Sequence, residues 1–159
     1  MQLKATVDSS VLIALGKLGY LKLVGEIFDK LVVAESVLEE IRGDEVCNVV
    51  SELTGDGLVE VAKGSNYELL NLLSSSLGKG EAETIVVALG LEADVALLDD
   101  LRARKTARRL KVKVMGTLAV LKVLIDLKLV KEKPEDLCEK LISKGFWVDA
   151  ESCLKILKG

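Results

Sequence analysis

The 159-residue chain reads as an α/β protein: three layers, α/β/α, around a central and mostly parallel sheet. Two observations predict this. Short aliphatic runs alternate with segments of helical periodicity, which is the pattern of strands joined by crossover helices. Half of the residues are apolar but only 3% are aromatic, so the surplus is Leu, Val, Ile and Ala, as in strands buried on both faces.

The elements follow in order. Leu3 to Val7 is a strand ending at Asp8, and Ser9-Ser10 stands where the next helix starts. Leu18 to Phe28 reads as a second short helix and Leu31 to Ala34 as a strand. Ser36, with Glu39 three residues on, has the form of a capping box, and Gly43 ends that helix. Asp44 to Leu53 is expected to be helical, LVEVA to be a strand, and Asn66 to Leu77 to be a helix. Glu81 to Glu92 has the amphipathic spacing of Ala82, Ile85, Val86 and Leu89. The strand Val95–Leu98, a basic helix from Arg102, the strand Val112–Met115 and a helix from Thr117 come next. Pro134 opens the first of two last helices around GFWVD.

Composition excludes several kinds of chemistry. Without a histidine, there is no Ser-His-Asp or Cys-His triad, no His-ligated zinc and no imidazole base. Cys47, Cys138 and Cys153 are odd in number and widely spaced, so three small core residues are expected rather than a disulfide framework or zinc site. The net charge of −3 is not that of a polycation. No apolar run reaches the roughly 20 residues of a membrane span, and MQLKATVDSS lacks the apolar run of a signal peptide. A cytoplasmic protein is expected. Scarce amides and 30% charged residues are compatible with a thermophilic source.

Carboxylates must therefore carry any catalysis. Asp8 and the pair Asp99-Asp100 follow strands, Glu40 lies late in a short helix, and Glu81 opens a helix. Parallel sheets bind ligands beyond the carboxyl ends of their strands, where these acids would gather. Their repulsion is relieved by hard cations, which favour oxygen ligands. Two such ions about 4 Å apart can cleave a phosphodiester without histidine. Each acid also has a plainer role available, as helix cap or solvated surface group. Periodicity leaves Glu81 and Glu83 open, and alternation leaves Asp99 and Asp100 open.

At these residues the chain resembles the PIN-domain family, the nuclease fold of VapC-type toxins and several RNA-processing enzymes. VDSSVLIAL is similar to the family's first motif, SVLEEI to the second, GEAETIVVA to the third and ALLDD to the fourth, with Leu98 where a Thr is usual. GEAE, LLDDLRARKTA and VMGTLAVL together resemble a branch of short, stand-alone prokaryotic PIN proteins. The resemblance implies one PIN-like domain over 1–159, with a helical C-terminal extension from about residue 117 packed on it. It implies a Mg²⁺- or Mn²⁺-dependent endoribonuclease with Asp8, Glu40, Glu81 and Asp100 around the metals, and Asp99 and Glu83 as second choices. Ser10 would hydrogen-bond Asp8 or a ligand water, or else cap the first helix. The resemblance further suggests a homodimer and a small antitoxin partner.

Arg102, Arg104, Lys105 and Arg108 belong to the most basic stretch and are candidate RNA contacts, the alternative being a solvated helix face. Trp147, beside Phe146, is expected to be a packing anchor. Leu118–Val130 is core or a subunit contact. Two other readings compete. One is a PIN-like binding module without catalysis. The other is a phosphoryl-transfer domain with Asp8 as nucleophile, which DSSVL fits poorly because it lacks the second Asp of a DxD motif.

Overall fold

The computed structural model of the protein describes residues 2–159. In chain order the elements are β1 (Lys4–Val7), α1 (Ser9–Leu18), a 3₁₀ segment (Lys22–Glu26), β2 (Lys30–Ala34), α2 (Glu35–Glu40), α3 (Val46–Gly55), β3 (Val59–Ala62), α4 (Tyr67–Ser74), α5 (Lys79–Gly90), β4 (Val95–Leu97), α6 (Leu101–Arg109), β5 (Val114–Met115), α7 (Thr117–Asp126), α8 (Pro134–Ser143) and α9 (Ala150–Lys158).

The five strands form one sheet in the order β3-β2-β1-β4-β5, and each pairing is parallel. The chain winds outward from β1 through β2 to β3, then returns across to β4 and β5. The order reverses between β1 and β4, which creates a crevice at their carboxyl ends. Register holds those ends level: Val7 pairs with Leu97, and the Asp8 N–H donates to the Leu97 carbonyl at 3.0 Å.

Strand alternation splits the interior into two cores. Val95 and Leu97 enter the larger one, with side chains from α1, α3, α7, α8 and α9. Ala96 and Leu98 enter the smaller one, with Leu73, Ile85, Ala103 and Ala107 from α4, α5 and α6. Each fully buried Val or Leu stabilises the fold by roughly 1.5–3 kcal/mol before entropy is counted, so helices on both faces are required.

Several local expectations are corrected. The stretch Leu18–Phe28 is not a second α-helix: α1 ends at Leu18 and only a 3₁₀ turn follows, in a short segment with Gly25 in its interior. Ser36 does not cap α2, whose N-cap is Ala34. Its hydroxyl and N–H donate to Glu83 instead. Helix α5 is not a half-exposed amphipathic helix. Residues 82–88 are all buried, including Glu83 and Thr84, because α5 lies between the sheet and the neighbouring helices. Helix α7 ends at Asp126 and is core, burying Leu118, Val120, Leu121 and Leu124.

The cysteine expectation is overturned in part. Cys138 of α8 and Cys153 of α9 form a disulfide and are almost fully buried. Only Cys47 is free. Two cysteines 15 residues apart announce no pairing by themselves; the packing of α8 on α9 brings them together. The C-terminal helices are also tied to the first crossover. The Tyr20 hydroxyl donates to the Glu132 carboxylate, which pairs with Lys140 at 2.8 Å. Lys17 Nζ donates to the Lys144 carbonyl at 3.1 Å.

Candidate active site

A cavity of about 950 Å³ opens at the carboxyl ends of β1 and β4. Asp8, Glu40, Glu81, Asp99 and Asp100 all line it. Five acids from four separate stretches of the chain thus share one space, and each is held there by different local bonds.

Asp8 leaves β1 at the reversal point and occupies the N-cap position of α1, but its side chain makes no capping hydrogen bond. It is 3% exposed, and Oδ1 is buried without a partner. Burial raises its pKa from 3.8 to about 7, against the lowering effect of the Ser9 N–H, with the charges of Glu81, Glu40 and Asp99 adding to the rise.

Glu40 ends α2 and accepts a 2.8 Å hydrogen bond from the Ser9 hydroxyl. Its carboxylate lies against Gly80, where an added Cβ would stand 2.8 Å from the Glu40 carboxyl carbon. A side chain at position 80 would push that carboxylate out of its present place. Glu81, at the third position of α5, accepts from the Gly78 N–H at 3.1 Å. Burial raises its pKa despite that bond, and Asp100 and Glu40 push in the same direction.

Asp99 and Asp100 both line the cavity, so alternation does not separate them. Asp99 accepts at 2.7 Å from both the N–H and the hydroxyl of Thr117, at the start of α7. Gly116 permits this crowding: a Cβ there would stand 3.0 Å from Asp99 Oδ1 and 3.2 Å from Arg104 Nη1. Asp100 caps α6 through one oxygen, accepting from the Ala103 N–H at 2.9 Å. Thr117 occupies both oxygens of Asp99, whereas Asp100 keeps one uncommitted.

Glu83 is not with the cavity carboxylates. It accepts from the N–H and hydroxyl of Ser36 at 2.8 and 2.6 Å and from the Gly64 N–H at 3.1 Å. Burial alone would raise its pKa, but these bonds and Lys79 outweigh it and hold the pKa down. It stitches α5 to α2 and the loop after β3. Ser10 is exposed at the cavity edge and bonds neither Asp8 nor the start of α1; Ser9 is the engaged hydroxyl.

The basic stretch divides. Arg104 lines the cavity itself, with Lys17 and Lys144. Arg102 and Lys105 line an adjoining depression shared with Glu81 and Asp100. Arg108 lines a different one, beside Asp94 and Val95 at the amino end of β4. Helix α6 runs back along the sheet from its carboxyl edge, so Arg108 lies far from the acids. Ser9, Gly80, Thr117 and Lys17 were not singled out by sequence reasoning. Ser9 stands in VDSS at the start of α1, Gly80 in the GEAE motif and Thr117 in MGT after β5, which are the signals the sequence offers for them.

A family model described as a PIN domain matches residues 4–159. The chain belongs to the PIN-domain family. A solved structure of a PilT N-terminus domain protein from the hyperthermophilic archaeon Sulfolobus solfataricus P2 is similar with a TM-score of 0.50 and 16% identity, covering 82% of this chain and 97% of that one. At that identity the likeness concerns the fold. No curated protein matches the chain significantly.

PIN domains are a nuclease-type fold and generally use divalent metal ions. Among the described residues of this PIN domain, no group of three or more acids or cysteines stands ready to hold one ion as placed. Mg²⁺ does not require such a cage, since it takes one or two carboxylates and keeps several waters. The donor set fits a hard cation in two respects: it is all oxygen, and it contains a buried carboxylate oxygen without a partner at Asp8.

Proposed function

We propose that this PIN domain is a Mg²⁺- or Mn²⁺-dependent endoribonuclease, with Asp8, Glu40, Glu81 and Asp100 holding the metal directly or through water. The observation that carries the reading is the partnerless Asp8 oxygen, in one cavity with the other three carboxylates. Five carboxylates against three cationic side chains line that cavity, so an RNA phosphate is repelled unless cations intervene. When bound, the divalent ions supply Lewis acidity, easing deprotonation of the attacking water and neutralising charge on the phosphoryl oxygens.

The protein's own residues do the rest. Ser9 holds the Glu40 carboxylate beside Gly80 at the start of α5. Thr117 fixes Asp99 at the cavity wall, where its charge adds to the pull on a cation. Arg104, Lys17 and Lys144 are the groups available to RNA phosphates. The same reading includes a cytoplasmic location, a homodimer and a toxin role with a small protein antitoxin. Among the described residues no helix is long and apolar enough to cross a membrane. Exposed Tyr67 and Leu72 on α4 are apolar surface that a partner could cover.

The test is Mn²⁺ titration, by calorimetry, together with cleavage of a fluorescent single-stranded RNA. Wild type should bind Mn²⁺ and cleave only with it. Asp8→Asn and Asp100→Asn should each lose cleavage by at least about 100-fold, the scale of removing a group that acts in the transition state. Glu83→Gln should still bind Mn²⁺. Cleavage at the wild-type rate in either Asn variant rejects the assignment. Metal binding without any cleavage favours a silent binding module.

A further inference from the structure

Trp147, the sole tryptophan of the chain, is 98% exposed. The expected packing anchor is instead Phe146, which with Val148 packs against the larger core. The loop between α8 and α9 that bears Trp147 is firmly held. The Phe146 N–H donates to the Leu141 carbonyl at 2.9 Å and the Val148 N–H to the Phe146 carbonyl at 3.1 Å. Asp149 caps α9, accepting from the Ser152 N–H at 2.8 Å. The Cys138–Cys153 disulfide closes the segment covalently. An indole displayed in water on a tethered loop is large apolar surface without a partner.

Trp147 lines the same cavity as the carboxylates, together with Leu118, Phe146, Val148 and Ile156. One space therefore offers a carboxylate floor, an aromatic and aliphatic wall, and the cations Lys17, Arg104 and Lys144. A ligand suited to all three carries phosphate beside a flat, weakly polar ring. An unpaired nucleotide does so; in a duplex the ring is already stacked on its neighbours. At about 950 Å³, the cavity lies within the size range of small-ligand sites.

We propose that Trp147 is the platform on which a nucleobase of the RNA stacks, next to the phosphate presented to the carboxylates. This rests on the ribonuclease reading of the cavity. Stacking tolerates any base, so Trp147 governs affinity for unpaired RNA rather than choice of sequence. It is a binding residue on the C-terminal wall, remote in the chain from all five acids.

Because there is one tryptophan, emission excited at the red edge of the indole band, beyond tyrosine absorption, reports on this residue alone. The full chain is titrated with single-stranded oligoadenylate, with a duplex of equal length, and with an abasic ribose-phosphate oligomer. The same titrations are run on Asp8→Asn, and binding is measured independently by anisotropy of labelled RNA. Oligoadenylate should quench the emission strongly, and the duplex and abasic oligomer little. Trp147→Ala should weaken RNA binding about tenfold, a typical loss for one stacked base, and raise KM with kcat nearly unchanged. Trp147→Phe should recover most of the affinity. Leu91→Ala, which removes another exposed apolar side chain, should bind RNA as wild type does. Emission unchanged at saturating RNA overturns the proposal, as does wild-type affinity in Trp147→Ala. So does a loss of dimer in Trp147→Ala with RNA affinity retained, which would assign the indole to a subunit contact. Quenching without cleavage in any metal defeats the ribonuclease reading and leaves the platform. Metal-dependent cleavage indifferent to Trp147→Ala does the reverse.

Discussion

Asp8 shows how one residue couples the stability of the protein to its chemistry. Its carboxyl is buried among like charges, and its pKa is raised to about 7. An acid with a raised folded-state pKa binds a proton in the native state that the unfolded chain has already released. Native protein therefore holds more protons between about pH 4 and 7, and stability falls as pH climbs through that window, then levels off. The metal-free protein should lose up to about 4 kcal/mol in this way, measured by denaturant unfolding at a series of pH values. Asp8→Asn should flatten the slope and be the more stable protein above pH 7. Saturating Mg²⁺ should flatten it in the wild type. A wild-type curve that rises between pH 4 and 7, with the Asn variant parallel to it, would contradict this account. Glu83, two residues from Glu81 on the same helix, behaves oppositely: its hydrogen bonds hold the charged form against the raising effect of burial. The two glutamates leave α5 about 200° apart, so Glu81 faces the cavity acids while Glu83 meets Ser36 and Gly64.

At the scale of elements, α6 carries the contrast that matters most for RNA. The helix starts at the acid pair and runs away from it, so successive turns move its basic residues out of reach. Arg104 lines the acid cavity, and Arg108 lines a depression at the other edge of the sheet. Arg104→Ala should weaken RNA binding and reduce the salt slope, d log K/d log[salt], by about 1, as for one phosphate contact. Arg108→Ala should leave both unchanged. Equal losses from the two variants would mean that the RNA path is not the cavity. The strand-end acids and the basic helix were legible from residue order. The division of that helix was not, because the direction in which α6 leaves the sheet depends on the strand it must reach next.

Across the whole molecule, the sheet order places the functional crevice and the C-terminal helices finish it. Asp8 and Asp99-Asp100 meet because β1 and β4 are neighbours at the reversal of winding. The apolar wall, by contrast, is made by α7 to α9 and their linkers. These helices share the larger core, and the Cys138–Cys153 disulfide clamps α8 to α9. Closing a loop of 15 residues stabilises a fold by about 3 kcal/mol in the chain-entropy account. Reduction, or the double variant Cys138→Ala/Cys153→Ala, should therefore lower the melting temperature by several degrees. Scanning calorimetry with and without reductant measures this, and the double variant itself should be indifferent to reductant. An unchanged melting temperature would show that packing alone holds α8 on α9.

The order and type of most elements were determined by the sequence itself, because hydrophobic period, caps and breaks act over a few residues. That local information sufficed to set Asp8 and Asp99-Asp100 at strand ends and Glu81 at a helix start. The motif resemblance already pointed to Glu40, and to Glu81 ahead of Glu83. Tertiary structure alone decided that Glu83 turns to Ser36 and Gly64, that Asp99 answers to Thr117, that two distant cysteines meet, and that Trp147 stands in water. Each of these depends on which side chain of one element faces another from far along the chain, and such facing is settled by packing, which no short window of residues contains.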